Sequence, residues 1–383
     1  MGVLFFASDI TPPSVLWMRR MLAGLDDHVA ILATEVETPD EFSRKYTSVV
    51  VEDSPYVWVS KSFRRLGFIS HVPATTRAVQ TLTTAVNDPS VSVTLIHYLT
   101  TGVHYARVWE NTEKPAFIHC HGFDVTWDLR AVGRLDRRAH PDTYVDRVVA
   151  LPSQVQFIAN SNKTISRLLE IGIAAERIHL KYLGVPVDSE PPKRDYSNHE
   201  LTILFLGRLV DFKGPLEVIR AFSIASERGL KGKLIVAGDG PLMEACRAAR
   251  AESRFRDRIE LPGAVDAATG ARLRAQADVF TAHNQIGSQT RQEEAFGVSV
   301  AEALAEGIPV ITGNNGSLSE VMVDGEQGRL VEPGDIEAHA EAFVEFATNP
   351  DMRASMGRSG WQRVRDHFSS ERENQRLREI LGI

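Results

Sequence analysis

The chain has 383 residues, more than one ordinary hydrophobic core accommodates, so we expect two domains. Its 43% hydrophobic and 24% charged residues are typical of a soluble globular protein, and its net charge of -7 argues against bulk binding of nucleic acid. With only two cysteines, no disulfide framework is implied. No apolar run reaches the roughly 20 residues that span a bilayer, and the start lacks a basic segment, so we expect a cytoplasmic protein.

Short β-branched apolar runs alternate with segments of helical spacing along the whole chain. Strands are predicted at 3–7, 29–34, 93–99, 116–119 and 155–159, and again at 201–206, 233–237, 259–261, 279–282 and 309–312. Helices are predicted between them, for example at 14–25, 74–86 and 162–171. This alternation predicts an α/β protein with doubly wound, parallel-sheet (Rossmann-like) domains.

The alternation stops at residues 186–199, which are rich in proline and polar residues and have no period. We interpret this segment as a linker between an N-terminal domain, residues 1–185, and a C-terminal domain, residues 200–368. Residues 369–383 are predicted to form a charged amphipathic helix with Ser370 as its cap. We expect this helix to pack back toward the N-terminal domain.

The segment between Glu294 and Glu302 carries the most chemistry. An aromatic-glycine pair precedes a short apolar helix there, and the amides of Gly297, Val298 and Ser299 would be unpaired donors at the helix start. Such amides suit phosphate, and carboxylates suit sugar hydroxyls. An ordinary helix with two surface glutamates is the alternative, but it leaves Glu302 among apolar neighbours, where an unbonded carboxylate is costly.

A second segment begins where the strand at 201–206 meets Gly207. Arg208 and Lys213 follow on the loop before a helix that Pro215 can start. Ligands of doubly wound sheets bind outside the carboxyl ends of the strands, and a guanidinium fork with an ammonium suits a diphosphate. From this loop alone, two solvated cations are an equally good interpretation.

The glycine turn at Gly238-Asp239-Gly240 follows another predicted strand. It does not match the dinucleotide-binding fingerprint, whose third glycine would fall at Met243, so an oxidoreductase is disfavoured. The glycines indicate a tight turn, and close approach of the backbone to a ligand is the functional alternative.

A histidine segment ends the strand at 116–119. The alternation of a strand places His119 and His121 on one face. A zinc site is not favoured, because no second cluster of histidine or cysteine supplies the remaining ligands. His121 stands where side chains reach a ligand, and a hydrogen-bonded structural histidine is the alternative.

These segments, in this order, resemble the retaining glycosyltransferase family four, which has the GT-B fold. The resemblance rests on His121-Gly-Phe-Asp124, Gly207-Arg-Leu with its following lysine, Gly238-x-Gly-Pro, Glu294-x7-Glu302 and Gly316-Ser-Leu-Ser-Glu320. It covers most of the C-terminal half and is thin in the N-terminal half. It implies two Rossmann-like domains facing across a cleft, with the acceptor on the N-terminal side and the nucleotide sugar on the C-terminal side.

The resemblance also implies a role for each matching residue. Arg208 and Lys213 would hold the donor diphosphate, Glu302 the ribose, and Glu294 and His121 the donor sugar. Backbone contacts to sugar, phosphate and base are implied for Phe296, Gly297, Val298, Gly207 and Val265. Ser14 and Asp124 are the candidates for the acceptor side. Relatives often carry paired glycines in the first strand-helix turn, whereas this chain has Asp-Ile-Thr-Pro-Pro-Ser at 9–14.

The predicted function is transfer of a sugar from a UDP- or GDP-linked donor to a hydroxyl, with retention at the anomeric carbon. The expected acceptor is a glycan, a lipid-linked hydroxyl or a small molecule, in polysaccharide, glycolipid or glycoside biosynthesis. No metal, other cofactor or nucleic acid is expected. A nucleotide-sugar epimerase, a phosphorylase and a non-catalytic nucleotide-sugar-binding protein are the alternatives.

Two stretches, 17–21 and 61–66, mix cations with large apolar residues. They leave open a peripheral contact with the inner membrane face. A helix with one core face and one solvated face is the favoured interpretation.

Overall fold

The computed structural model describes residues 1–12, 15–52, 74–131, 134–197 and 200–383. The chain divides into two compact units. The first unit comprises Met1–Tyr182 together with Glu373–Ile383, and the second comprises Leu183–Arg372.

The first unit is built on a seven-stranded sheet whose neighbouring strands are all parallel. Its strands are β1 (Val3–Ala7), β2 (Val29–Thr34), β3 (Thr47–Val50), β4 (Val93–His97), β5 (Ala116–His119), β8 (Val155–Ala159) and β9 (Ile178–Leu180), and they lie in the order β3-β2-β1-β4-β5-β8-β9. A separate antiparallel pair consists of β6 (Arg130–Ala131) and β7 (Arg134–Arg138). The α-helices are Leu16–Gly24, Asp40–Ser43, Thr76–Asn87, Leu99–His104, Ala106–Trp109, Tyr144–Val149, Asn162–Glu170 and most of Ser370–Leu381.

The central strands of this sheet are apolar because both of their faces are covered. All five residues of β1 and all five of β4 are buried, as expected for parallel strands with helices on both sides. Phe6, Trp109 and Phe157 are fully buried members of the core. Trp109 satisfies its indole N–H by donating to the carbonyl of Gly102 at 2.8 Å.

The second unit repeats this architecture with six parallel strands. They are β10 (Glu200–Leu206), β11 (Lys231–Ala237), β12 (Ile259–Gly263), β13 (Val279–Thr281), β14 (Val310–Gly313) and β15 (Gly328–Val331), in the order β12-β11-β10-β13-β14-β15. Its α-helices are Pro215–Glu227, Met243–Glu252, Ala267–Gln276, Val298–Ala305, Leu318–Val321, Ile336–Thr348 and Pro350–His367. The chain adds β11 and β12 on one side of β10, and then β13, β14 and β15 on its other side. The loops after β10 and β13 therefore meet at the carboxyl edge of the sheet.

The predicted strands and helices are present, with strand ends that differ by at most two residues. The strand predicted at 93–99 ends at His97, because Tyr98 adopts a φ of 72° and a helix begins at Leu99. The cap predicted at Ser370 is wrong. The hydroxyl of Ser369 accepts the bond from the Arg372 N–H at 3.3 Å, because the helix begins at Ser370 itself, one residue earlier than a cap at Ser370 would place it.

The proline-rich segment at 186–199 packs against the second unit over its described residues, 186–197. The guanidinium of Arg194 donates to the carbonyls of Glu306 and Arg274, at 3.2 and 3.1 Å, and also to the carbonyl of Ala277. The Tyr196 hydroxyl donates to the Gly307 carbonyl at 2.7 Å. An aperiodic polar sequence can therefore be held firmly when its side chains bond to carbonyls at helix ends.

The basic-apolar stretch at 17–21 is part of the helix Leu16–Gly24. Met18 and Met21 are buried, and Arg19 donates to the carbonyl of Ile10 at 2.6 Å. Its large apolar side chains thus contribute to the core, which agrees with the favoured interpretation. The second stretch, 61–66, lies outside the described residues. No helix in the described part of the chain has the length and apolar character needed to cross a bilayer.

A buried ion pair attaches the last helix to the first unit. Lys181, just after β9, pairs with Glu373, and their side chains are 0% and 4% exposed. Burial lowers the pKa of Lys181, and the Glu373 carboxylate opposes that shift. A charge so fully removed from water depends on its partner.

We expect Glu373→Gln to lower the free energy of unfolding by about 3–5 kcal/mol, because it leaves the Lys181 ammonium buried without a counter-charge. Urea denaturation would measure the change. Glu379→Gln, in the same helix but half-exposed in its pair with Arg376, should cost less than about 1 kcal/mol.

The double variant Lys181→Met/Glu373→Leu should recover most of the loss, since an apolar pair needs no counter-charge. Equal destabilisation by the two glutamate substitutions would contradict this account of the pair.

Candidate active site

The site predicted in the second unit forms where the loops after β10 and β13 run side by side. The His283 N–H donates to the Lys213 carbonyl at 3.0 Å, and the Gln285 N–H donates to the Phe212 carbonyl at 3.0 Å. The Asp211 carboxylate accepts the Thr290 hydroxyl at 2.8 Å and its N–H at 3.0 Å. These bonds fix the loop that carries Lys213 against the loop that leads to Glu294.

Lys213 and Glu294 form an ion pair across these loops, and their side chains are only 15% and 11% exposed. The backbone of Glu294 is held from behind, because its carbonyl accepts the Ser317 N–H at 3.1 Å. Gly316 has a φ of 67°, and a Cβ there would come within 1.9 Å of that carbonyl. The chain thus requires glycine at 316 to hold the Glu294 carboxylate beside the Lys213 ammonium.

Arg208 and Lys213 share an aromatic support. The Arg208 guanidinium lies 5.7 Å and the Lys213 ammonium 5.6 Å from the centre of the Phe212 ring. Phe212 is buried, and both distances allow a cation–π interaction. Arg208 itself is exposed, so its guanidinium is available to a ligand. Phe212 was not among the predicted site residues, and only its position between two cations in sequence could have indicated it.

The helix Val298–Ala305 starts beside this pair. Gly297 precedes it with a φ of 91°, and a Cβ there would lie 2.6 Å from a methyl of Leu318. The Gly297 carbonyl accepts the first helical bonds, from Val300 and Ala301, both at 3.0 Å. The amides of residues 297–299 have no acceptor among the described residues. They are therefore free to bind an anion at the positive end of the helix.

Phe296 and Val298 frame that helix start. Phe296 is buried and packs edge-on against Phe368, with ring centres 5.5 Å apart. Its side chain anchors the turn, which leaves only its backbone to contact a ligand. Val298 is half-buried.

Glu302 lies on the same helix but pairs with Arg274, at 3.3 Å. The same guanidinium also binds Glu306, one turn further along, at 2.6 Å. Arg274 lies on the helix Ala267–Gln276, which follows half-buried Val265 at the carboxyl end of β12. The Arg274 pair explains how a carboxylate is accommodated at this mostly apolar position, and it was missed because the two residues are 28 positions apart.

Gly207 occupies a crowded backbone position. A Cβ at Gly238, whose φ is 142°, would come within 1.8 Å of the Gly207 carbonyl, and one at Gly240 within 2.5 Å of the Leu209 carbonyl. The glycines at 238 and 240 therefore allow this loop to approach the one after β10. The glycines thus form the tight turn that the sequence predicts, and this turn packs against the loop that carries Arg208.

A chain of buried hydrogen bonds supports the Lys213 loop. The Gly334 N–H donates to His283 Nε2 at 2.8 Å, so His283 Nδ1 carries the proton and donates to His339 Nδ1 at 3.0 Å. His339 Nε2–H then donates to the Thr281 hydroxyl at 2.8 Å. Every ring nitrogen of the two histidines is used, which fixes His283 and, through its backbone, Lys213.

In the first unit, Asp124 is fully buried. Its carboxylate accepts three backbone N–H groups, from Leu99 at 2.8 Å, His121 at 2.9 Å and Gly122 at 2.8 Å. Burial raises the pKa of Asp124, although these bonds oppose the shift. The Asp124 side chain, predicted for the acceptor side, thus orders the loop around His121. Ser14 lies outside the described residues.

His121 belongs to a cluster with His97 and His119. In the part of the chain that the structure describes, these three form the one group of histidine, cysteine or carboxylate side chains close enough to hold a metal ion. His97 was missed in the sequence, although it ends β4 just as His119 ends the neighbouring strand β5.

The family match to known proteins lies within the second unit of the chain. Residues 188–363 match the family described as "Glycosyl transferases group 1". A GDP-mannose-dependent alpha-(1-6)-phosphatidylinositol monomannoside mannosyltransferase of Mycolicibacterium smegmatis is 27% identical over 272 residues, which cover 68% of each chain. A phosphatidyl-myo-inositol mannosyltransferase of Mycobacterium leprae is 33% identical over 48% of this chain and 47% of its own.

Solved structures match the full length of the chain. HepE of Anabaena, in complex with UDP and glucose, has a TM-score of 0.76 at 17% identity over 100% of this chain and 99% of its own. A sucrose-phosphate synthase of Thermosynechococcus elongatus has a TM-score of 0.79 at 18% identity over 99% and 98%. These likenesses confirm the predicted GT-B type of fold, with two parallel-sheet α/β domains. The sequence matches confirm the predicted class, a nucleotide-sugar-dependent glycosyltransferase.

The buried histidine pair of the second unit predicts a pH dependence. Burial lowers the pKa of His339 well below 6.5, and the nearby His283 lowers it further. The unfolded chain therefore binds more protons below pH 6.5, so stability is complete above that pH and is lost as the pH falls. We expect the free energy of unfolding to fall by at least about 1 kcal/mol between pH 6.5 and 5.5, the share of one histidine that is protonated only in the unfolded chain.

Urea denaturation at pH 7.5, 6.5 and 5.5 would measure this slope. His339→Gln should reduce the loss between pH 6.5 and 5.5 by the share of one histidine, about 1 kcal/mol. Parallel profiles for the two proteins would rule out His339 as a source of the slope.

Proposed function

We propose that the chain transfers a sugar from a nucleoside diphosphate to an acceptor hydroxyl with retention at the anomeric carbon. The observation that carries the proposal is the Lys213–Glu294 ion pair beside the open amides of residues 297–299, with exposed Arg208 on the shared Phe212 ring. This arrangement provides cations and N–H donors for a diphosphate and a carboxylate for sugar hydroxyls within one group of loops.

Breaking the bond between sugar and phosphate places negative charge on the leaving diphosphate. Arg208, Lys213 and the helix start supply fixed positive groups for that charge. The two cations are supported before any ligand binds, since both lie against Phe212 and the His283 N–H holds the Lys213 carbonyl. Removal of one such preorganised donor typically raises the barrier by about 2.7–4 kcal/mol.

Glu294 positions the donor sugar in this proposal. Its carboxylate, paired with Lys213, accepts hydrogen bonds from sugar hydroxyls and stabilises positive charge that develops at the anomeric carbon. Lys213 pairs with this carboxylate and, in the proposal, also binds the diphosphate, so it would couple recognition of the sugar to recognition of the leaving group.

GDP-mannose is the first donor to test, since two of the similar sequences are described as GDP-mannose-dependent mannosyltransferases at 27% and 26% identity. UDP-glucose is the second, because structural relatives bind UDP and UDP-glucose. Relatives that act on phosphatidylinositol mannosides or build capsular polysaccharide point to a glycolipid or polysaccharide acceptor.

Radiolabelled transfer to lipid and glycan acceptors tests the function, with NMR of the product to read its anomeric configuration. At saturating donor, Arg208→Ala should lower kcat more than about a hundredfold, the loss expected for one oxyanion-type donor. Arg220→Ala, on the exposed face of the helix Pro215–Glu227, serves as the matched control and should retain full activity.

Normal turnover by Arg208→Ala would remove the proposed phosphate role. An inverted product would contradict retention. Interconversion of the nucleotide sugar without any acceptor would favour an epimerase instead.

The ribose role of Glu302 has its own test. Glu302→Gln should weaken nucleoside diphosphate binding at least about tenfold, because two ribose hydroxyls lose a charged acceptor worth about 1.5–3 kcal/mol. Isothermal titration calorimetry with GDP and UDP would measure the affinity.

Glu306→Gln is a close control, since Glu306 binds the same Arg274 guanidinium one helical turn further along. It should leave nucleotide affinity unchanged. If both variants weaken binding equally, Glu302 acts by holding Arg274 and not by binding ribose.

A further inference from the structure

Three histidines meet at the carboxyl edge of the sheet in the first unit. His97 ends β4 and His119 ends β5, and the two residues are direct partners in the register of these parallel strands. His121 lies two residues beyond the end of β5. The ring centres of His119 and His121 are 4.2 Å apart. The ring centre of His97 lies 5.6 Å from that of His119 and 5.5 Å from that of His121.

The cluster leaves most of its ring nitrogens without partners. His97 Nδ1 and His121 Nε2 lie 3.3 Å apart and can share one proton. The other four nitrogens, namely His97 Nε2, His121 Nδ1 and both nitrogens of His119, are buried and have no hydrogen-bond partner among the residues that the structure describes. Unpartnered buried polar atoms are costly and call for an explanation.

The second unit shows how this protein buries histidines that have only a structural role. There, His283 and His339 use all four ring nitrogens in hydrogen bonds to Gly334, to each other and to Thr281. The contrast between the two clusters indicates that the nitrogens in the first unit are kept for another partner.

The spacing of the nitrogens fits a metal ion. One nitrogen from each of the three rings can be chosen so that all lie within 4.8 Å of one another. Two imidazole nitrogens bound to a tetrahedral zinc ion at about 2.0–2.1 Å lie about 3.3–3.4 Å apart. The observed separation of 3.3 Å between His97 Nδ1 and His121 Nε2 already has this value.

The surroundings keep the rings in a form that can bind a metal. Burial is the main cause that lowers the pKa of all three histidines, to about 3 for His97, so the imidazoles are neutral at pH 7. The charge of Lys181 acts on all three rings, and it is balanced by the pair with Glu373. Neutral imidazole is the ligand that zinc, copper and nickel ions prefer.

We propose that His97, His119 and His121 form a three-histidine site for a transition-metal ion, with Zn²⁺ as the reference ligand. Three protein ligands leave at least one coordination position for water or another oxygen ligand. Ligation would occupy His121, for which the resemblance implied a contact with the donor sugar. The inference stands apart from the proposed function, because the binding measurement uses no nucleotide or acceptor.

Calorimetric titration of the metal-stripped full chain with Zn²⁺ tests the site. Wild-type protein should bind one ion, and His97→Gln and His119→Gln should each lower the affinity at least about tenfold. His179→Gln is the matched control, since His179 is half-buried in the same unit, on β9, and bonds to Gln156. It should bind Zn²⁺ like wild type.

A second readout leaves all three histidines in place. The Trp17 ring centre lies 4.4 Å from that of His121, so Co²⁺ in the site should quench Trp17 fluorescence and acquire visible absorption bands from its nitrogen ligands. Trp17→Phe should remove the quenching while leaving the absorption bands.

Absence of Zn²⁺ binding in wild type, or equal affinity in His119→Gln and His179→Gln, would overturn the proposal. If His97→Gln and His119→Gln do not fold, the Co²⁺ bands and the Trp17 quenching in wild type decide the question.

Discussion

The ion pair between Lys213 and Glu294 is the interaction on which the donor side of this protein depends. Its partners are 81 residues apart and meet only because β10 and β13 are neighbours in the sheet. Neither charge is well solvated, so each needs the other, and the geometry has to be accurate for the pair to form at all. Many otherwise unrelated features of the second unit follow from this one requirement.

The glycines and the buried histidines of the second unit serve that requirement. Gly316 permits the approach to the Glu294 carbonyl, and Gly214, with a φ of 63°, lies where a Cβ would come 2.2 Å from the His283 carbonyl. His283 and His339 then hold the Lys213 loop with a fully satisfied hydrogen-bond chain. The first unit places its histidines at an equivalent strand edge, but four of their six ring nitrogens have no hydrogen-bond partner in the described part of the chain. The two edges therefore differ in kind: one presents fixed charges, and the other presents neutral nitrogens.

Much of this was predictable from the sequence, because the strands are continuous apolar runs and the charged residues directly follow them. Arg208 and Lys213 come after a strand, and Glu294 and Gly297 come before a helix, so their general location needs only local patterns. The sequence could not show which strands are neighbours. His97 and Arg274 were missed for that reason, since each acts through a residue on another element. Ser369 was missed as a cap because the two adjacent serines are equivalent by composition, and only the backbone distinguishes them.

The buried pair of Lys181 and Glu373 has a consequence for how the protein comes into being. The two residues are 192 positions apart, with the whole second unit between them. A ribosome makes Lys181 well before Glu373, and domains generally fold in the order in which they are made. During synthesis the first unit must therefore wait, with its β9 edge incomplete, until the second unit has emerged. Completion of the first unit is in this way a late event in biogenesis, because it requires the helix Ser370–Leu381 to pack on the first unit.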